Sequence, residues 1–154
     1  MNEEAIARAE SVLRGMVEAT GLNASVEVSH AGDEEVCIDI VGEESYLFVG
    51  PQGQALDALQ FLLLLLTNRQ RESRLRITVD ANGYRKKRSE VLTTFAHALA
   101  DQVASTGQEA ITDALNALER RIVHTALIDH PLVKTYSEGD DPDRFVVISP
   151  REEA

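Results

Sequence analysis

The sequence predicts an α+β fold in two small units, ordered helix–strand–strand–(helix)–helix–strand and then helix–strand–helix–strand–strand. Three observations predict it. Apolar residues at helical spacing and at alternating spacing take turns along the chain, which excludes an all-α or an all-β architecture. An Asn82-Gly83 turn separates the two series, and both residues tolerate the backbone a tight turn demands. The 154 residues suffice for one ordinary domain or two small ones with real cores. We therefore place the first domain at 1–81, the second at 82–150 and a tail at 151–154.

Each element has its own reason. Residues 4–20 set Ile6, Ala9, Leu13, Met16 and Val17 on one helical face, with Gly21 as the stop. Residues 24–30 alternate through Val26 and Val28, and residues 35–41 through Val36, Ile38 and Ile40. Ala31-Gly32-Asp33-Glu34 reads as the hairpin loop between them. Cys37 shares parity with Asp39, away from the core side, and has no partner thiol.

A short apolar piece at 44–49 leads into Gly50-Pro51-Gln52-Gly53 and then a strong helical stripe, Leu56, Leu59, Leu63 and Leu66. Phe61, Leu62, Leu64 and Leu65 widen that stripe until the helix is apolar almost all round. Such a helix is expected to be buried on more than one side, with some of its surface facing a partner chain.

Residues 74–80 set Leu75, Ile77 and Val79 against Arg74, Arg76 and Thr78. A long helix follows from about Tyr84 to Ser105, with Val91, Leu92, Phe95, Leu99 and Val103 as its expected core stripe and His97 beside it in a structural role. Residues 108–112 are a weak strand. A further helix spans 114–128, and strands near 133–137 and 144–149 flank a Gly/Pro loop.

Composition narrows the function classes. The formal net charge is −11, which argues against a chain coated in positive charge. Yet residues 1–50 carry a net −9, residues 51–90 a net +4 and residues 91–154 a net −6. Eight of the fifteen basic residues fall between Arg69 and Arg88. A local cluster can bind a polyanion on an acidic protein because screening cuts fields off beyond about 10 Å. One cysteine excludes an internal disulfide and a Cys-rich zinc site. Met1 to Glu4 show no secretory pattern, and the longest apolar run, Phe61 to Leu66, is too short to span a membrane. These features predict a soluble, cytoplasmic protein.

Two motifs carry the candidate chemistry. Gly50-Pro51-Gln52-Gly53 precedes a helix, where glycines let backbone approach a ligand and free N–H groups favour phosphate. Arg120 and His124, with Arg121 beside them, lie four residues apart on one helix face. With Leu115, Leu118, Ile122 and Ala126 nearly opposite, that pair is expected to be exposed. Arg can contact phosphate, and a surface His can bond phosphate or stack on a base. Elsewhere the chemistry is sparse. His30, His97 and His130 share no metal-ligand spacing, and Asp140, Asp141 and Asp143 sit in a loop without EF-hand spacing. No Walker A, Gly-x-Gly-x-x-Gly or Gly-x-Ser-x-Gly pattern occurs.

Three segments in order resemble the bacterial Jag family. Glu119-Arg120-Arg121-Ile122-Val123-His124-Thr125-Ala126-Leu127, then Thr135-Tyr136-Ser137-Glu138-Gly139, then Arg144-Phe145-Val146-Val147-Ile148 resemble its R-3-H domain. The stretch Gly50 to Gln60 resembles its KH loop and helix, and Asn82-Gly83-Tyr84-Arg85 with Lys87-Arg88 its junction. The resemblance implies a type II KH domain (αββααβ) followed by an R-3-H domain (αβαββ). It also implies binding of single-stranded RNA or DNA, no catalysis and no cofactor or metal. The implied contacts are Arg120, Arg121, His124 and Arg144, the Arg85-Lys86-Lys87-Arg88 run, Gly50 to Gly53, and Arg74 with Arg76. Family membership further implies a single-KH protein partner, regulation linked to cell-envelope growth and an association with the membrane insertase.

Two departures stand out. The family usually has Lys or Arg between the two glycines, where this sequence has Pro51 and Gln52, and longer members carry an additional N-terminal domain. The first departure should shift binding toward the second domain and the junction. It also motivates an alternative, a protein–protein scaffold or homodimerisation module with a degraded KH site.

Overall fold

The computed structural model describes residues 2–69 and 71–152. The chain divides into two compact units, Met1–Arg85 and Lys86–Ala154.

In the first unit, helix α1 (Glu3–Ala19) buries Ala5, Ala9, Leu13 and Val17, one residue per turn at a spacing of four. Gly21 follows with φ +71°, a left-handed turn that ends the helix. Strands β1 (Ser25–Ala31) and β2 (Glu35–Val41) pair antiparallel, and a register shift between Val28 and His30 marks a bulge in β1. Two 3₁₀ turns, Ser45–Phe48 and Pro51–Gly53, occupy the place of the short extra helix and lead into α2 (Gln54–Asn68). Strand β3 (Arg76–Ala81) then joins β2 in parallel, giving the sheet order β1-β2-β3. This is the type II KH arrangement. Helices α1 and α2 pack on the sheet and on each other, and Leu13, Ile38, Ile40, Leu56, Leu63, Leu75 and Val79 form the heart of the core.

Helix α2 departs from expectation. Leu56, Leu63 and Thr67 are buried, while Phe61, Leu62, Leu65 and Leu66 are 40–62% exposed. Only one side of this helix enters the core, because the unit has a single sheet face to cover. Leu66, expected inside, sits 300° from Leu63 at 100° per residue and rotates out.

In the second unit, α3 (Tyr84–Thr106) has its first two residues in the preceding unit and continues as the long helix of this one. Strand β4 (Ala110–Ile111), helix α4 (Ala117–Leu127), β5 (Val133–Glu138) and β6 (Phe145–Pro150) follow. Their antiparallel sheet has the order β4-β6-β5. The core gathers Leu92, Ala96, Ala100, Val103, Val123, Leu127, Val133, Val146 and Ile148.

The core stripe of α3 is not the predicted one. Leu92 and Val103 are buried and Leu99 is half-buried, but Val91 and Phe95 are exposed. Ala96 and Ala100 take the central places in the cluster, and the bulkier Val91 and Phe95 stay outside. His97 is exposed rather than structural. Helix α4 starts three residues later than the sequence suggests. Asn116 caps it, its Oδ1 accepting from Glu119 N at 2.9 Å while Glu119 Oε2 accepts from Asn116 N at 3.3 Å. Among the described residues, no helix is long and apolar enough to cross a membrane, and no group of three acidic, His or Cys side chains could hold a metal.

Candidate functional site

In the second unit the Arg-x-x-x-His pair sits where α4 packs on β5. Glu119, Arg120, Val123 and Leu127 form the buried side of α4, and Leu118 is exposed. The helix is thus rotated from the expected phase, and the pair faces inward. Arg120 is only 8% exposed. Its Nη1 donates to Leu115 O at 2.6 Å and to Asp141 Oδ1 at 3.0 Å. One guanidinium therefore ties the segment before α4 to the β5–β6 loop. The expectation that Arg120 and His124 form a fully exposed pair is corrected here. Of the apolar residues set opposite them, Leu115 is buried and Ile122 and Ala126 pack against the core, while Leu118 stays outside; the burying face extends round to 119, 120, 123 and 127.

His124 is half-buried and held at both ring nitrogens. Nδ1 hydrogen-bonds with Thr135 Oγ1 at 2.7 Å and Nε2 with Ser137 Oγ at 2.9 Å. Thr135 and Ser137 share strand parity with buried Val133, so β5 presents alternate hydroxyls to the helix. Burial lowers the His124 pKa from its ordinary 6.5, and the positive charge of Arg120 lowers it further. The ring is therefore neutral at neutral pH, and the two hydroxyls can serve either tautomer, one nitrogen donating and the other accepting.

A cavity of 300 Å³ opens beside this ring, lined by His124, Leu127, Ile128, Lys134, Thr135 and Arg151. Lys134 is exposed. The Nε of Arg151 donates to Val133 O at 2.7 Å, which fixes the guanidinium next to the strand. Neither cation was among the expected contacts. Lys134 has the opposite parity to the residues that meet His124, so alternation alone does not place it at the cavity. Arg151 lies past the last apolar alternation, and only the sheet brings it back.

The other expected contacts divide sharply. Lys86, Lys87 and Arg121 are exposed. Arg88 instead donates from Nε to the buried Glu119 at 2.8 Å. Arg85 is committed inside the first unit, Nε to Val79 O at 2.8 Å, Nη1 to Asp57 at 3.1 Å and Nη2 to Gln60 at 3.1 Å. Arg144 is half-buried, and its Nε is buried without a hydrogen-bond partner among the described residues.

In the first unit, Gly50 has φ +69° and Gly53 φ +76°. A Cβ on Gly50 would lie 2.7 Å from Ala55 Cβ, and one on Gly53 would lie 2.6 Å from Tyr84 Cε1. Both glycines are therefore required by packing. Pro51 and Gln52 are exposed, with Gln52 also left-handed at φ 54°. The loop amides turn largely inward: Gly53 N donates to Gly50 O, Gln54 N to Pro51 O and Ala55 N to Val49 O. Pro51 has no N–H to give. Arg74 and Arg76 are not beside this loop. They line a 620 Å³ groove with Phe61, Leu65 and Asn68 toward the other end of α2, and Arg76 pairs with Glu35 at 3.3 Å.

Comparison with known proteins matches this arrangement. The R-3-H domain model matches residues 90–150. RNA-binding protein KhpB of Bacillus subtilis (strain 168) is 36% identical over 146 residues, which cover 94% of this chain and 70% of that protein. RNA-binding protein KhpB of Clostridium symbiosum is 33% identical over 135 residues, 86% of this chain and 61% of the relative. The Lactiplantibacillus plantarum protein of the same name is 29% identical over 97% of this chain and 46% of its own length. The chain thus spans less than two thirds of the latter two relatives. With a KH-type unit, an R-3-H domain behind it and these relatives along nearly its whole length, the chain belongs to the bacterial Jag family, the KhpB proteins.

Proposed function

We propose that this chain binds single-stranded RNA, chiefly through the second unit, and that it does no covalent chemistry. The observation that carries the reading is the cavity beside His124, where a fixed neutral imidazole, Lys134 and Arg151 converge on one concave surface. The cations supply phosphate contacts, His124 and the exposed Ile128 offer a flat surface and an apolar surface for a base, and Arg121 adds charge nearby on α4. Arg120 acts by holding the loops around this surface. Lys86 and Lys87 add non-specific attraction, and the Gly50–Gly53 loop contributes less because its donors are engaged or missing. The names of the KhpB relatives support the RNA assignment. The extension to regulation linked to cell-envelope growth rests on family resemblance alone.

The test is fluorescence anisotropy with a labelled mixed-sequence single-stranded RNA at several salt concentrations. We expect Lys134→Gln with Arg121→Gln to weaken binding several-fold and to reduce the salt slope by about two phosphate contacts, roughly one per cation removed. An unchanged affinity and slope would rule out this surface. Single-stranded DNA of the same sequence, run in parallel, tells whether a ribose hydroxyl is read.

A second reading has its own observation, the exposed Phe61, Leu62, Leu65 and Leu66 face of α2. A contiguous apolar face of this kind fits a protein partner, either a single-KH protein or a second copy of the chain. Under this reading Leu62→Glu abolishes association in sedimentation experiments and leaves RNA affinity untouched. Monomer alone, with and without a single-KH protein, across micromolar concentrations would dismiss it.

A further inference from the structure

A smaller cavity of 210 Å³ lies in the first unit, where the start of α1 meets the end of α2. It is lined by Glu4, Ala5, Arg8, Thr67, Arg69 and Arg71. Three arginines and one glutamate line it, so the lining carries a surplus of positive charge.

The start of α1 brings helix amides to the cavity, with Glu3 and Glu4 in its first turn. The first N–H groups of a helix have no acceptor within it, and they carry the positive end of its dipole. The N-cap residue Asn2 makes no side-chain cap bond. Its Oδ1 instead accepts from Arg71 Nη2 at 2.9 Å, and Arg71 Nε donates to Ser73 O at 3.2 Å. The Arg71 guanidinium is thereby oriented in advance, while the α1 amides stay uncapped by a side chain.

The third feature is Thr67. It is 1% exposed, and its Oγ1 has no hydrogen-bond partner among the described residues. A buried hydroxyl left unpaired is unfavourable, and a ligand oxygen would satisfy it. Helix amides, three arginines and a hydroxyl donor suit a tetrahedral oxyanion approached from several directions.

We propose that this cavity binds a phosphate group. Its volume lies below the usual range for small-molecule pockets, which suits a phosphate rather than a whole nucleotide. It is distinct from the Gly50–Gly53 loop, which sits at the other end of α2. The fifteen residues of that helix span about 22 Å at 1.5 Å each, so one phosphate cannot occupy both places. The proposal does not depend on the RNA reading of the second unit. The phosphate can belong to a free phosphomonoester or to a nucleic-acid backbone.

The test titrates sodium phosphate into the isotope-labelled full chain at constant ionic strength, following amide chemical shifts, with sodium chloride as control. We expect saturable shifts centred on Ala5, Arg8, Thr67, Arg69 and Arg71. Arg8→Gln with Arg69→Gln weakens the phosphate affinity by about tenfold or more. Thr67→Val, close in shape, lowers it while the rest of the spectrum stays native. Shifts that never saturate, shifts that chloride reproduces, or an affinity unmoved by the double arginine change would overturn the proposal.

Two further arms identify the source. A nucleoside monophosphate that binds more tightly than inorganic phosphate assigns the cavity to a small phosphomonoester. Shifts with single-stranded RNA that inorganic phosphate displaces assign it to a backbone phosphate. Saturation by inorganic phosphate with no gain in either arm assigns it to orthophosphate itself. Anisotropy on the Lys134→Gln, Arg121→Gln variant reports on the second unit separately, so failure at one place is not mistaken for failure at the other.

Discussion

The glycine loop of the first unit and the Arg-x-x-x-His pair of the second answer the same question in different ways. Each motif is held tightly by its own unit. Gly50 and Gly53 are demanded by left-handed backbone and by contact with Ala55 and Tyr84. Arg120 and His124 are engaged by Leu115, Asp141, Thr135 and Ser137. They differ in what surrounds them. The loop exposes a proline and an amide side chain, while the histidine opens onto a basic cavity. The signature residues of both motifs build a surface, and their neighbours decide what that surface can bind.

Changes that break the shape of either motif should therefore cost stability first. Gly53→Ala has the largest expected effect, about 1–3 kcal/mol for left-handed backbone alone with the overlap on Tyr84 added. Thermal or urea unfolding of the first unit measures it, and a loss below a few tenths would show that Tyr84 can move aside. Arg120→Ala comes next, at about 1–3 kcal/mol for leaving the buried Leu115 carbonyl unsatisfied. Much of any RNA affinity it loses should return on conditions that restore folding, which separates bracing from contact. An intact melting curve with lost RNA binding would instead make Arg120 a direct ligand.

Acid sharpens the comparison further, because only the second motif titrates near neutrality. The folded His124 resists protonation, so its contribution to stability is complete above the ordinary value of 6.5 and is lost as pH falls through that value toward the lowered folded one. Urea midpoints at about pH 7.5 and about pH 5.5 should differ less in His124→Gln than in the native chain. An equal difference would mean that other groups carry the acid sensitivity. Smallest of all, Pro51→Lys should raise RNA affinity by no more than a few-fold, since the inward loop amides remain inward. A gain of a hundredfold would show that charge alone had silenced the first unit.

The fold was legible wherever a period met a single face. Strands β2 and β3 match their alternation, and the helices appear where the apolar spacing puts them. Helix phase was less legible. Val91 and Phe95 look like core by hydropathy, yet Ala96 and Ala100 hold the inward face of the helix, because position on the helical turn and not bulk decides burial. The same error of phase placed Arg120 outside. A charged residue read alone belongs in water, and only the Leu115 carbonyl and Asp141, both brought in by the fold, make its burial tolerable. Lys134 and Arg151 were missed for the converse reason. Nothing in their local sequence distinguishes them from solvated cations, and their meeting with His124 exists only once β5 and β6 pair.

The contact between Gly53 and Tyr84 has a consequence for how such a chain can drift over generations. The shape of the loop is policed from within, because any side chain at position 53 collides with a ring of the same unit. Its charge is policed by nothing internal, since residues 51 and 52 point into water. Selection for folding alone would preserve the two glycines indefinitely while letting the residues between them change. A glycine pair in this place is thus a record of architecture, and the two positions it encloses are where a history of ligand binding, kept or abandoned, is written.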